Sequence, residues 1–149
     1  MSIRILVVDD HASVRRGIKT ILEAQPGWEV VDEATDGTEA VNKAEHLGPD
    51  LVVMDLSMPR MGGLEASRII RGKLPETQVV VVTQHDSAQM MREAKAAGAI
   101  GYVVKSNVAR DLVRAVMSAN ESVEFGWPSN LTSSDSSAQS VAKSQSSSE

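Results

Sequence analysis

Cysteine is absent from this 149-residue chain. That removes disulfides, thiolate metal sites and cysteine nucleophiles together. Aromatic residues make up only 3%, which leaves few platforms on which bases or single strands could stack. No stretch approaches the roughly 20 apolar residues that a membrane helix needs. The first apolar run is too short for a signal-peptide core, and acids follow it at once. An excess of basic charge is missing as well. The net charge is −5, so the chain as a whole does not attract nucleic acid. The expectation is a cytoplasmic protein with no membrane span and no direct DNA binding.

What is present is enough for one domain with a real core, since 42% of the residues are hydrophobic. Short apolar runs at Ile3–Val8, Glu29–Ala34, Leu51–Asp55, Gln78–Thr83 and Ile100–Val104 read as strands. Their valine-rich continuity is the habit of a parallel sheet buried on both faces. Segments of helical period lie between them. Val14, Ile18, Ile21 and Leu22 fall on one stripe, and Ala40, Val41, Ala44 and Leu47 on another. A third helix is expected from about Leu64 to Arg71. A fourth is expected from about Ser87 to Ala97, with Asp86 as its N-cap, and a fifth from Asn107. Strict alternation of five strands and five helices predicts an α/β doubly wound, three-layer domain over residues 1–122.

Beyond Ser122 the periodicity fails. Residues 128–149 contain ten serines and no helical pattern, so residues 123–149 are expected to form a disordered tail. Phe125 and Trp127 are the exceptions, and are expected to anchor its start on the domain.

Polar residues sit where the apolar runs end: Asp9 and Asp10, Asp55, Thr83 and Lys105. Carboxyl ends of strands are where open α/β sheets bind ligands. Three acids gathered there repel one another unless a cation intervenes, and a hard divalent ion with phosphate oxygens suits them. For a phosphoryl ligand, Thr83 can donate a hydrogen bond and Lys105 can offset charge. Asp55, alone at its strand end, is the group able both to touch the metal and to form an acyl phosphate. His11 and His85 flank the rim, but neither has a second histidine at ligand spacing; His46 reads as surface. Arg15, Arg16 and Lys19 read as a solvated helix face, and of Met90 and Met91 one is expected to pack inward.

Taken together, Asp9-Asp10, Asp55 with Met58-Pro59 and Gly62-Gly63, Thr83, Tyr102 and Lys105 resemble a bacterial response-regulator receiver domain, over about residues 3–121. The phrasing around Asp10-His11 and Gly101–Ser106 is most similar to receivers of the NarL/FixJ type. The resemblance implies a flavodoxin-like sheet of order 2-1-3-4-5, and phosphorylation of Asp55 by a histidine kinase, a phosphotransfer protein or a small acyl phosphate. It also implies Mg²⁺ held by Asp10, Asp55 and the backbone carbonyl of Ser57, with Asp9 acting through water. Thr83 and Lys105 would bind phosphoryl oxygens, with Tyr102 as a switch aromatic that turns inward when Thr83 moves. The expected output is altered affinity for a protein partner, with a phosphorylation-dependent homodimer as one form of it. A stand-alone switch is expected, not a turnover enzyme. A phosphohydrolase would want an acid where Ser57 stands, and the third alternative, a transcription factor, needs a DNA-binding half beyond these residues.

Overall fold

A computed structural model describes residues 2–131. The expected disorder of the serine-rich stretch over residues 132–149 lies outside the described residues. Five strands, β1 (Ile3–Val8), β2 (Trp28–Ala34), β3 (Leu51–Met54), β4 (Gln78–Thr83) and β5 (Gly101–Val104), form one parallel sheet of order β2-β1-β3-β4-β5. Five helices alternate with them: α1 (Ala12–Glu23), α2 (Gly37–Leu47), α3 (Gly63–Lys73), α4 (Ala88–Ala96) and α5 (Val108–Asn120).

The sheet divides the apolar residues into two cores. Ile5, Val7, Val53 and Val80 point to the side where Ile18 and Leu22 of α1 meet Leu112 and Val116 of α5. Leu6, Val52, Val79 and Val81 point to the other, against Ala40 and Ala44 of α2, Ala66 and Ile70 of α3, and Ala94 of α4. Neighbouring residues of one strand thus serve opposite cores, because side chains alternate along a strand. This is why the strands read as unbroken apolar runs.

Helix ends follow local chemistry, with one correction. The Asp36 carboxylate accepts from the Glu39 amide at 2.8 Å and starts α2, while Gly48, with φ of 56°, ends it. In α4 the N-cap is Ser87, not Asp86: its hydroxyl accepts from the Met90 amide at 3.1 Å. Ser87 sits three residues before that amide, the separation a capping side chain needs, and Asp86 is one residue too early. Met90 and Met91 are both half-buried against the second core, so neither is simply outward. A 3₁₀ turn, Lys105–Asn107, precedes α5, and Asn107 makes no side-chain capping bond.

The packed structure also continues past Ser122. The Phe125 amide donates to the Ile100 carbonyl at 3.1 Å, and the Tyr102 amide donates to the Phe125 carbonyl at 3.0 Å. Phe125 thereby pairs in parallel with Gly101 on the edge of β5, and Ser129–Leu131 form a 3₁₀ turn. Two aromatic anchors and a few backbone bonds hold this segment without any periodicity, so a search for helical or strand patterns passes it by.

Candidate functional site

The order of the sheet brings the ends of β1 and β3 side by side, with β4 and β5 beyond. The Asp9 amide donates to the Ala34 carbonyl at 3.1 Å and the Asp55 amide to the Val8 carbonyl at 3.0 Å, so ladder bonding continues to both acids. Asp9 and Asp55 are 1% and 3% exposed, and their burial is what makes the rim costly. Lys105 reaches across from the end of β5, its Nζ 2.9 Å from Asp9 Oδ2 and 3.5 Å from Asp55 Oδ1. One ammonium therefore serves two buried carboxylates, with Asp10 close beside them.

The electrostatics follow. Burial raises the Asp55 carboxyl above its ordinary value, and the Asp9 charge pushes the same way against Lys105. Burial pulls the Lys105 ammonium down, but its contacts with Asp9 and Asp55 outweigh this and the net shift is upward. His11, exposed on the rim, sets Nδ1 3.0 Å from Asp10 and 3.4 Å from Asp9. Asp9, Asp10 and His11 bring one ligand atom each within 4.8 Å of one another; Asp55 joins them through Lys105.

A divalent cation fits this chemistry. The buried Asp9 Oδ2 and Asp10 Oδ1 accept no aligned hydrogen bond. Lys105 Nζ approaches the first at 2.9 Å and His11 Nδ1 the second at 3.0 Å, in each case out of hydrogen-bond alignment. Hard oxygens short of donors are what a small hard ion prefers.

Beyond the acids, Thr83 is fully buried at the end of β4, its hydroxyl accepting from the His85 amide at 3.3 Å. Ser57 is exposed; its amide faces Asp55 at 3.5 Å and its hydroxyl lies 3.1 Å from His85 Nε2. Gln84 is exposed beside them. Tyr102 is 3% exposed and its phenol donates to the His85 carbonyl at 2.9 Å. Burial, then the charge of Asp86, pushes that phenol up to about 12. The structure thus brings Asp9, Asp10, Asp55 and Lys105 together, with Ser57, Thr83 and Tyr102 linked through the His85 loop. A separate cavity of about 490 Å³, near Arg71, Lys95 and Glu124, lies away from the acids.

Three contributors have roles that the sequence alone does not show, although Gly63 is among the residues that carry the resemblance. Arg15 is not merely solvated: it donates to the Asp9 carbonyl at 2.7 Å and to Glu33 at 2.9 Å, bracing the loop that carries the acids. Arg60 pairs with Asp36 and ties the loop after β3 to the start of α2. Gly63 lets α3 begin against Asp55, since an added Cβ would overlap the Asp55 carbonyl oxygen. Each acts across a sequence gap that spacing arguments do not span.

A parallel sheet in this order with acids at its strand ends defines a flavodoxin-like module, and comparison with known proteins names its family. Residues 5–117 match the response regulator receiver domain, and the chain belongs to that family of two-component signalling domains. It is 39% identical over 119 residues to the transcriptional regulatory protein LiaR of Bacillus subtilis (strain 168), covering 80% of this chain and 56% of LiaR. It is 42% identical over 116 residues to the response regulator VraR of Staphylococcus aureus (strain Mu3 / ATCC 700698), covering 78% and 56%. A LuxR-family response regulator from Aurantimonas sp. SI85-9A1 superposes with a TM-score of 0.82 at 37% identity, covering 88% of this chain and 93% of that one. The chain spans about half the length of the curated relatives it matches. Domains of this family are phosphorylation-controlled switches, modified on aspartate, that bind Mg²⁺ at an acidic pocket and work with histidine kinases and phosphotransfer proteins. Among the described residues, no helix is long and apolar enough to cross a membrane.

Proposed function

We propose that Asp55 is the phosphoryl acceptor of this chain. A carboxylate oxygen of Asp55 attacks the phosphorus of a histidine kinase's phosphohistidine, or of a small acyl phosphate. An acyl phosphate forms as the P–N or P–O bond breaks, and the leaving imidazole or carboxylate keeps the bonding electrons. The observation that carries this reading is the placement of Asp55: buried at the end of β3 and faced by Lys105 Nζ at 3.5 Å. The fixed ammonium meets charge where it gathers on the phosphoryl oxygens.

Asp10, Asp55 and the Ser57 backbone carbonyl would hold Mg²⁺, with Asp9 acting through water; when bound, the ion supplies neutralisation of carboxylate and phosphoryl charge. Lys105 and Thr83 take the phosphoryl oxygens. Because the Thr83 hydroxyl now accepts from the His85 amide, its recruitment to a phosphoryl group disturbs the loop whose carbonyl receives the Tyr102 phenol. That is a route from charge to packing, and Tyr102 is its switch residue. The output is a changed affinity for a protein partner on the face formed by α4, β5 and α5.

Incubation with Mg²⁺ and acetyl phosphate, followed by intact-mass measurement, tests the reading. One phosphoryl adduct is expected, absent in Asp55→Asn and weakened in Lys105→Ala. A label that persists in Asp55→Asn refutes the assignment.

A second reading is favoured by the names and lengths of the relatives: this receiver acts as the controlling half of a longer transcriptional regulator. By its acidic charge, residues 1–149 alone are then expected to leave duplex DNA unshifted at low salt.

A further inference from the structure

We propose that Trp127 is a positioning residue: the strap of residues 123–127 holds the Tyr102 ring in its buried setting before any phosphoryl group arrives. The inference rests on the reading of Asp55 as acceptor and Tyr102 as switch.

The strap is built into the edge of the sheet. Its backbone brackets Gly101, donating to Ile100 and accepting from Tyr102 through the two bonds of Phe125. Gly126 has φ of 90°, in the left-handed region, and an added Cβ there would overlap the Tyr102 carbonyl oxygen. Only glycine permits this approach. The approach then delivers Trp127 to one place. Its indole N–H donates to the Ile100 carbonyl at 3.1 Å. Its ring lies 5.5 Å from that of Tyr102, tilted by 51°, a favourable aromatic arrangement. Lys95 of α4 sits 5.4 Å over the indole and pairs with Glu124 of the strap at 3.0 Å.

Tyr102 is consequently held at both ends. The phenol is fixed by the His85 carbonyl and the ring is covered by Trp127. For the ring to leave its buried setting, Trp127 has to move, and with it the contacts that join the strap to α4. Phosphorylation of Asp55 therefore does not have to bring the ring inward in the intact chain. It acts on a ring already placed, through the His85 loop that holds the phenol.

Tyr102 is the only tyrosine, so 3-fluorotyrosine labelling gives one ring resonance in ¹⁹F NMR. The H₂O/D₂O isotope shift of that resonance reports exposure. In the unaltered chain the shift is expected to be near zero, with and without beryllofluoride and Mg²⁺. In Trp127→Ala and in Gly126→Ala it should reach at least half the value of the urea-unfolded chain, then fall at least twofold on adding beryllofluoride. Trp127→Phe, which keeps a ring over Tyr102, should stay near zero. Urea midpoints for each variant separate loss of positioning from loss of fold, and Gly126→Ala leaves the indole itself intact. An isotope shift near zero in both alanine variants overturns the proposal, as does a ring that stays exposed in Trp127→Ala once beryllofluoride is bound. Bound beryllofluoride has its own ¹⁹F signal. If that signal never appears in the unaltered chain, the reading of Asp55 fails, while the strap is still judged on the beryllofluoride-free spectra.

Discussion

At the scale of single residues, function and stability pull against each other at the rim. Asp9 and Asp55 share one lysine with Asp10 close beside them, and two buried oxygens lack aligned donors. At an effective dielectric of about 20, two like charges about 4 Å apart repel by roughly 4 kcal/mol. Asp10 is partly exposed, so part of that is screened. Asp10→Asn is therefore expected to stabilise the metal-free protein, by roughly 1–3 kcal/mol, because it removes one charge while keeping the shape. Urea unfolding in the presence of a chelator measures this directly. A destabilised Asp10→Asn would mean that the rim is not frustrated by its negative charges.

At the scale of elements, what can be read from sequence depends on how local its cause is. All five strands and all five helices are legible, since burial on both faces writes apolar runs and amphipathic faces write a 3.6-residue period. The strand-end acids are legible for the same reason: position along the chain fixes position along the strand. Boundaries slip by a residue or two where capping decides, as at Ser87. The contacts of Arg15 and Arg60 are invisible because each depends on which elements become neighbours, and Trp127 is legible as an anchor but not in the ring it covers. The cap of α2 gives a pH test of this local chemistry. Asp36 is held below its ordinary value of 3.8, first by the Glu39 amide and then by Arg60. A carboxyl depressed in the folded state binds its proton more readily when unfolded. Its stabilisation is therefore complete above the unfolded value and is lost as pH falls through the folded one. In urea unfolding, Asp36→Ala should be less stable than the unaltered chain at pH 7, and the gap should close as pH drops below the ordinary aspartate range. A gap that is constant from pH 7 to pH 3 would show that the cap works through packing alone.

At the scale of the whole molecule, the rim exists only when the sheet is paired. Asp9 and Asp10 follow β1, Asp55 follows β3 and Lys105 follows β5, and three separate stretches of chain must register before these charges meet. The unfolded chain, with its acids far apart, has no comparable site. A ligand that binds only the folded state stabilises it by RT ln(1 + [L]/Kd), about 2.7 kcal/mol when the ligand stands at 100 times Kd. Mg²⁺ should thus raise the urea midpoint steadily with the logarithm of its concentration. The slope of free energy against urea should not change, because the surface exposed on unfolding is the same. Sodium chloride at matched ionic strength only screens, so it should produce a smaller rise that levels off. Asp10→Asn should lose most of the Mg²⁺-dependent rise while starting from a higher midpoint. If Mg²⁺ and sodium chloride act alike on the unaltered protein, the acids at the strand ends are a solvated cluster and not a metal centre.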